Sequence, residues 1–221
     1  FLEGGDARAA LDILAALTDE YLASCRALAD QLEEMYGLSL AEVSPGELFG
    51  TIGKLWAEAL LSADLSIDER ADWGERIAGL QNEADDLDVG EAFNIALAAA
   101  EQGWDYPPLQ RALAGQIDDP SDWEGPAPAV GDELIQLRLS MLERQGRGDE
   151  YLNLAKAVGQ VLRYALMLAQ LGRTAEAIET AFEAIRGKAL ALPAAEIARI
   201  AAYFAPPALE ALPARSAKLE A

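Results

Sequence analysis

Apolar residues recur in steps of three and four along most of this chain, and this spacing constrains the fold more than any other feature. Such steps place the apolar side chains on one face of a helix. In the first 36 residues the stripe comprises Ala10, Leu11, Leu14, Leu17, Tyr21, Leu22, Cys25, Leu28, Ala29 and Leu32. In residues 47–62 it comprises Leu48, Phe49, Ile52, Leu55, Trp56, Ala59 and Leu60. Long alternating runs of Val, Ile and Thr are absent, so we expect an all-α fold without strands.

Capping residues predict where the helices begin and end. Asp6 is a suitable N-cap for a first helix that Gly37 ends. A polar third helix should cover residues 67–86, and a fourth, residues 90–102, is apolar on almost every side and should lie inside. The remaining predicted helices cover residues 47–62, 107–114, 130–145, 149–157, 160–171 and 174–186, with a last pair after Pro193 and Pro206.

Proline and tryptophan cluster in the middle of the chain, in a segment that differs from the helical runs on either side. We therefore predict three parts of one continuous domain. Residues 1–103 are an acidic helical subregion, residues 104–131 are a connector rich in Pro and Trp, and residues 132–221 are a second helical subregion.

The charge of the chain is strongly acidic and unevenly spread. Its 221 residues include 17 Lys and Arg against 38 Asp and Glu, a net charge of −21. Residues 1–142 hold 29 of the acids and only 7 of the bases. This half is either a solvated surface that aids solubility or a face for a basic protein partner. Direct nucleic-acid binding requires clustered Lys and Arg, so we expect none by this chain.

Residue usage also limits the possible chemistry. Without histidine and with one cysteine, the chain lacks imidazole-based nucleophiles, His-ligated zinc and a disulfide framework. Cys25 lies on the first apolar stripe and should be a buried thiol. The acidic clusters in residues 83–88 and 118–124 do not match the spacing of a calcium loop. We therefore predict no enzyme activity, no catalytic residue, and no cofactor or metal in this chain.

Three aromatic residues are the candidates for partner binding: Trp104, Tyr106 and Trp123. The first two precede the diproline Pro107-Pro108, which fixes the backbone and so holds the rings with little loss of entropy. Two interpretations stay open. The segment is either a binding edge for another protein or a latch in which the Trp fills a groove between helices.

A short pattern near each end of the helical region resembles the tetratricopeptide repeat. Gly172 is followed five residues later by Ala177, and Gly5 by Ala10, each at the start of a periodic run. Glycine permits a tight turn between helices, and small residues let the helices pack closely. Because the 34-residue period fails between the two copies, the pattern predicts an irregular helical-hairpin array, a tetratricopeptide-like α-solenoid.

Several segments in order resemble the helical region that follows the zinc finger in bacterial SWIM zinc finger proteins. They include ALLSADLS at 59–66, GWDYPPL at 103–109, LERQGR at 142–147, EYLNLA at 150–155 and LGR at 171–173. The likeness covers roughly residues 5–185. In that family the finger is a Cys-x-Cys and Cys-x-His arrangement thought to bind DNA or proteins, and none of its ligands is present here.

The resemblance implies that this chain is the helical-repeat part of a larger cytoplasmic protein whose finger, with its zinc, lies before Phe1. Because the sequence has no initiating Met, we also expect a fragment of a longer protein. No apolar stretch reaches the ~18 residues of a membrane span, so we expect no membrane partner. We expect a non-enzymatic scaffold for a basic protein. The alternative is part of a DNA-associated regulatory protein, in which the finger contacts nucleic acid and this region recruits the basic partner.

Overall fold

A computed structural model describes residues 6–40, 46–124 and 128–187, and within these ranges the chain is entirely helical, without a strand. The helices are α1 (Ala7–Tyr36), α2 (Gly46–Ser62), α3 (Ile67–Asp86), α4 (Asn94–Gln102), α5 (Pro107–Leu113), α6 (Pro128–Arg144), α7 (Gly148–Ala157), α8 (Val161–Gln170) and α9 (Thr174–Gly187). A short 3-10 turn at Pro120–Asp122 follows α5. The predicted all-α class is confirmed, whereas the pair of helices expected after Pro193 and Pro206 lies outside the described residues.

Local capping signals fix the helix ends much as the sequence predicts. The carboxylate of Asp6 accepts a hydrogen bond from the Ala9 N–H at 3.0 Å, and Gly37 ends α1 in the left-handed conformation, with φ of 64°. Helix α3 begins with a capping box, in which Ser66 and Glu69 each accept a hydrogen bond from the other's backbone N–H. The bounds of α1 and the start of α3 are therefore set by hydrogen bonds between residues close in the sequence.

The start of α4 differs from the prediction. The helix begins at Asn94 instead of Gly90, because the buried side chain of Gln81 holds the preceding residues in a turn. Its Nε2 donates to the Gly90 carbonyl at 2.8 Å, and its Oε1 accepts from the Phe93 N–H at 2.7 Å. A side chain of α3 thus decides where α4 starts.

The first core cluster is formed by α1–α4. Helix α2 packs between α1 and α4, while α3 packs on α4 and more lightly on α1. Trp56 lies at the centre, fully buried, and its Nε1 donates to the Thr18 hydroxyl at 3.0 Å. The Trp73 ring packs beside it with centroids 5.5 Å apart, and in the same cluster the rings of Tyr21 and Phe49 have centroids 4.9 Å apart. As predicted, α4 lies inside, in contact with α2, α3 and α6.

Part of the predicted apolar stripes proves to be exposed. Leu17 is 62% exposed, Leu28 47%, Leu48 49% and Leu55 40%. The sequence placed all four in the core, and that prediction is wrong. The reason is that each stripe is wider than the contact between α1 and α2, so the side chains at its margin lie outside the cluster.

The second core cluster is formed by α5–α9 and is built on a repeated turn. Gly146, Gly159 and Gly172 have φ of 69°, 70° and 78° and follow one another at intervals of thirteen residues. After each glycine the next N–H donates to a carbonyl five residues back, at 2.8–2.9 Å. This is the Schellman arrangement that ends a helix at a left-handed residue. The sequence pattern singled out Gly172 alone among these three.

Helix α6 connects the two clusters. It packs on α4 of the first cluster and on α7 of the second. Leu134 and Met141 belong to the first cluster, whereas Leu139 and Leu142 on the same helix belong to the second. The two apolar clusters are therefore continuous through one helix.

Candidate functional site

The turn between α4 and α5, Gly103–Tyr106, lies where the two clusters meet, and we call it the junction. Gly103 has φ of 54° and ψ of −156°, a conformation that an L side chain rarely adopts. A Cβ atom at this position would overlap the guanidinium of Arg70. Both the backbone conformation of the junction and its contact with Arg70 therefore require glycine at position 103.

Arg70 of α3 is bound to the junction through Asp105. Its two terminal nitrogens donate to the two carboxylate oxygens of Asp105, with the Nη2–Oδ2 distance at 2.9 Å. This bidentate pair lowers the pKa of Asp105 below its ordinary value. Since the Arg70 side chain is only 12% exposed, the pair is a fixed part of the fold.

Arg138 of α6 also reaches the junction and is 1% exposed. Its Nη2 donates to the Gly103 carbonyl at 2.8 Å and its Nη1 to the Gln102 side-chain oxygen at 3.1 Å. Both acceptors lie at the end of α4, where the helix dipole favours a positive charge. Burial nevertheless lowers the pKa of Arg138 to about 10.

Trp104 is half-buried where the two clusters meet. Its Nε1 donates to the Leu61 carbonyl at 2.7 Å, and its ring packs against apolar side chains of the first and second clusters. The guanidinium of Arg147 lies 5.3 Å from the ring centroid. These contacts favour the latch interpretation for this ring.

Tyr106 and Trp123 are half-buried against the second cluster. The Tyr106 hydroxyl donates to the Glu124 carbonyl at 3.3 Å, and Arg111 pairs with the Glu124 carboxylate at 2.6 Å. The three aromatic candidates therefore share one cluster, and both interpretations of the segment, binding edge and latch, remain those of the sequence. Their role in partner binding stays a prediction.

The basic side chains of the first 142 residues are too few to neutralise the carboxylates of the same half. Six of its seven bases pair with carboxylates, and the seventh, Arg138, is buried at the junction. The paired bases are Arg8, Arg26, Lys54, Arg70, Arg76 and Arg111. The remaining carboxylates give this half a strongly negative surface.

The two acidic clusters use their side chains in separate contacts. Glu83 pairs with Arg26 at 2.6 Å, while Asp118 pairs with Lys156 at 2.6 Å. Asp119 accepts hydrogen bonds from Ser121, which lowers the pKa of that carboxyl. Across the described ranges, no three His, Cys, Asp or Glu side chains converge as metal ligands would. The single thiol, Cys25, is buried as predicted.

An exposed apolar stripe follows the outer side of α1. The sequence did not predict that this stripe is exposed. Its members are Ile13, Leu17, Leu28 and Met35. Their spacings along the helix, 4, 11 and 7 residues, keep them on one side. Exposed carboxylates on the same helix accompany it, namely Asp12, Glu20, Asp30 and Glu34. No local signal separates this stripe from the core stripe, because both have helical spacing.

Comparison with known proteins adds no assignment. A scan against protein-family models finds no match, and searches of curated proteins and of solved structures find none either. Among the helices of the described residues, none is long and apolar enough to cross a membrane. What is known of the molecule therefore comes from its own structure. The described residues are all-α, with two joined core clusters and an acidic N-terminal half.

Proposed function

We propose that this chain is a non-enzymatic scaffold that binds a basic segment of another protein, with α1 as the docking helix. One observation carries the proposal. The apolar stripe at Ile13, Leu17, Leu28 and Met35 stays exposed beside carboxylates of the same helix. Such a surface suits an amphipathic helix that has apolar residues on one side and Lys or Arg beside them.

The length and charge of this surface agree with that partner. From Ile13 to Met35 the stripe extends roughly 33 Å, at 1.5 Å per residue. The surrounding negative charge attracts a basic segment and speeds its encounter, while buried apolar contacts supply most of the affinity. The paired or buried state of the seven bases in residues 1–142 supports a protein partner over the phosphate backbone of a nucleic acid.

The repeated turns support a tetratricopeptide-like helical-hairpin array. In such arrays each helix packs on its neighbours and leaves an extended surface for partners. The resemblance to bacterial SWIM zinc finger proteins depends on the quoted sequence segments alone. It implies a cytoplasmic protein in which this chain follows a zinc finger. In that setting the finger contacts nucleic acid or protein, and this chain recruits the basic partner.

The test uses a synthetic amphipathic peptide of about 18 residues made of Leu and Lys, with a Leu/Glu peptide of the same pattern as its counterpart. We expect the Leu/Lys peptide to bind and the Leu/Glu peptide not to bind. The double variant Leu17→Ser/Leu28→Ser should weaken binding about tenfold or more, because both anchors are lost. Raising the NaCl concentration should slow association.

The matched control is Ile67→Ser on α3, which removes another exposed apolar side chain outside the stripe. We expect the control to bind the peptide as the wild type does. If the double variant also binds at the wild-type level, the proposed site is contradicted. Tyr106→Ala tests the alternative binding edge. If it weakens binding without unfolding the chain while the α1 variant has no effect, the partner binds at the junction.

A further inference from the structure

Helix α2 exposes two apolar side chains, Leu48 and Leu55, in addition to those that α1 exposes at Leu17 and Leu28. Residues seven positions apart share one side of a helix, so the two leucines of α2 form a short stripe of their own. The alignment of α1 and α2 decides whether this stripe and the stripe of α1 belong to one surface.

Two contacts establish that α1 and α2 are antiparallel. The Trp56 ring nitrogen donates to the Thr18 hydroxyl at 3.0 Å, and the rings of Tyr21 and Phe49 have centroids 4.9 Å apart. From the first contact to the second, the position rises along α1 and falls along α2. These contacts therefore show which positions of the two helices lie opposite each other.

The exposed leucines lie at the same level of the two helices. Leu17 directly precedes Thr18, and Leu55 directly precedes Trp56. Because the helices are antiparallel, Leu17 and Leu55 are separated by only about 3 Å along the helix axes. The contact between the aromatic rings likewise places Leu48 at the level of the middle of the α1 stripe.

The leucines of α1 lie on the side of that helix away from α3. Asp19 and Arg26 form ion pairs with side chains of α3, at 2.7 and 2.6 Å. Leu17 lies two residues before Asp19, and Leu28 lies two residues after Arg26. Two residues correspond to about 200° around a helix, so each leucine is on the opposite side from its charged neighbour.

The leucines of α2 lie on the side of that helix away from α4. Gly53 is the point at which α2 meets the Ala92 carbonyl, in the turn before α4. Leu55 lies two residues after Gly53 and is therefore on the opposite side, and Leu48 shares that side. Together the four leucines line one apolar groove on the outer face of the two helices, which we call the α1–α2 groove.

The two edges of the α1–α2 groove differ in charge. The α1 edge carries the exposed carboxylate of Glu20, which pairs with no base among the described residues. On the α2 edge, Lys54 pairs with Glu133 of α6 at 3.3 Å, and Glu58 pairs with Arg144 of α6 at 2.5 Å. A helix in the groove is therefore complemented by Lys or Arg on the flank that faces α1.

We propose that the docking site is the α1–α2 groove, and that a basic amphipathic helix binds lengthwise in it as a third helix packed on α1 and α2. This inference deepens the proposed function and rests on it, because the partner is the same. The apolar side of the partner helix contacts the four leucines, and its bases face Glu20. Contact with two helices buries more apolar surface than contact with α1 alone, so the leucines of α2 contribute to affinity.

The first test removes the α2 side of the groove and uses the Leu/Lys peptide as the probe. Leu48→Ser/Leu55→Ser should weaken binding about tenfold or more, as Leu17→Ser/Leu28→Ser does, while Ile67→Ser binds as the wild type does. If only the α1 variant loses binding, the partner lies on α1 alone, which overturns the groove and leaves the proposed function standing. If the wild-type chain does not bind the peptide, the proposed function fails and this inference fails with it.

A fluorescent label tests the same contact without removing both leucines. Leu48→Cys is labelled with an environment-sensitive fluorophore, which reacts at position 48 because the native Cys25 is buried. Adding the Leu/Lys peptide should shift the emission to shorter wavelength, because the peptide covers the label. The same label on Ile67→Cys is the control and should not respond. Unchanged emission at position 48 under conditions in which the peptide binds would overturn the proposal.

A charge substitution tests the α1 edge. Glu20→Gln should slow association of the Leu/Lys peptide about twofold at low salt, because the unpaired carboxylate beside the groove is lost. Glu75→Gln, an exposed carboxylate on α3, is the matched control and should leave the rate nearer the wild-type value. Equal association rates for the two variants would overturn the placement of the partner's bases along α1.

Discussion

The carboxylate of Glu69 holds the start of α1 and the start of α3 together. It accepts hydrogen bonds from both terminal nitrogens of Arg8, at 2.5 and 3.1 Å, and from the Ser66 N–H at 2.8 Å. The Arg8 contact, followed by the Ser66 contacts, lowers the pKa of Glu69 to about 2. The ionised form is therefore the one that the fold favours.

This shift predicts how stability depends on pH. The folded pKa of Glu69, about 2, lies below the ordinary value of 4.5, so its contribution is present above about pH 4.5 and is lost as the pH falls towards 2. Glu69→Gln should reduce the loss of stability over this range, as measured by urea unfolding at a series of pH values. Glu75→Gln, an exposed carboxylate on the same helix, is the control. Identical pH profiles for Glu69→Gln and wild type would contradict the prediction.

Other residues at this scale were beyond sequence analysis. Arg138 and Gln81 are almost fully buried and organise the ends of α4, yet nothing local marks them. Arg138 bonds to residues 35 and 36 positions away in the chain, and Trp104 bonds to a carbonyl 43 positions away. Such pairings depend on how the helices pack, so the sequence predicts the residue types but not their partners.

Helix α2 comes very close to the turn before α4 at a glycine. Gly53 is buried, and a Cβ atom there would lie 2.1 Å from the Ala92 carbonyl oxygen. That oxygen belongs to the backbone of the turn before α4 and cannot rotate away. Glycine at this position is therefore a condition for the α2–α4 contact.

Gly53→Ala should destabilise the protein by about 1–3 kcal/mol, because the added methyl group forces the two helices apart. The control is Gly79→Ala on α3, where a Cβ atom meets nothing within 4 Å. It should stabilise the protein by about 0.5–1 kcal/mol through better helix propensity. Urea denaturation measures both values. A neutral Gly53→Ala variant would mean that α2 and α4 are not held at this distance.

At the scale of elements, helix ends follow from the sequence where the signal is local. Asp6 and Gly37 end α1 as predicted, through bonds within a few residues, and the predicted start of α3 coincides with a capping box at Ser66. The start of α4 and the exposure of Leu17 were missed, because they depend on a side chain of α3 and on the width of the α1–α2 contact. Helical spacing shows which residues share a face without showing how much of the face is covered.

In the whole molecule, the two core clusters are joined through α6 and the junction. Trp104 contributes to both clusters, and Arg138 connects α6 to the end of α4. This arrangement predicts a single cooperative unfolding transition for the wild-type chain.

Trp104→Ala should lower the free energy of unfolding by about 2–4 kcal/mol and separate the unfolding of the two clusters. Trp104→Phe keeps most of the apolar ring but leaves the Leu61 carbonyl unpaired, and should lower it by about 1–2 kcal/mol. The measurement compares urea transitions followed by far-UV circular dichroism and by fluorescence of the remaining tryptophans. Coincident transitions and unchanged stability in Trp104→Ala would show that the junction does not couple the clusters.

The interval of thirteen residues between Gly146, Gly159 and Gly172 affects how this part of the chain tolerates length changes in evolution. A tandem duplication of two intervals would insert one complete helix pair and leave the direction of every later helix unchanged. A duplication of a single interval would reverse the direction of everything that follows. Insertions in this region should therefore accumulate as pairs of intervals, because only these preserve the existing neighbours of each helix.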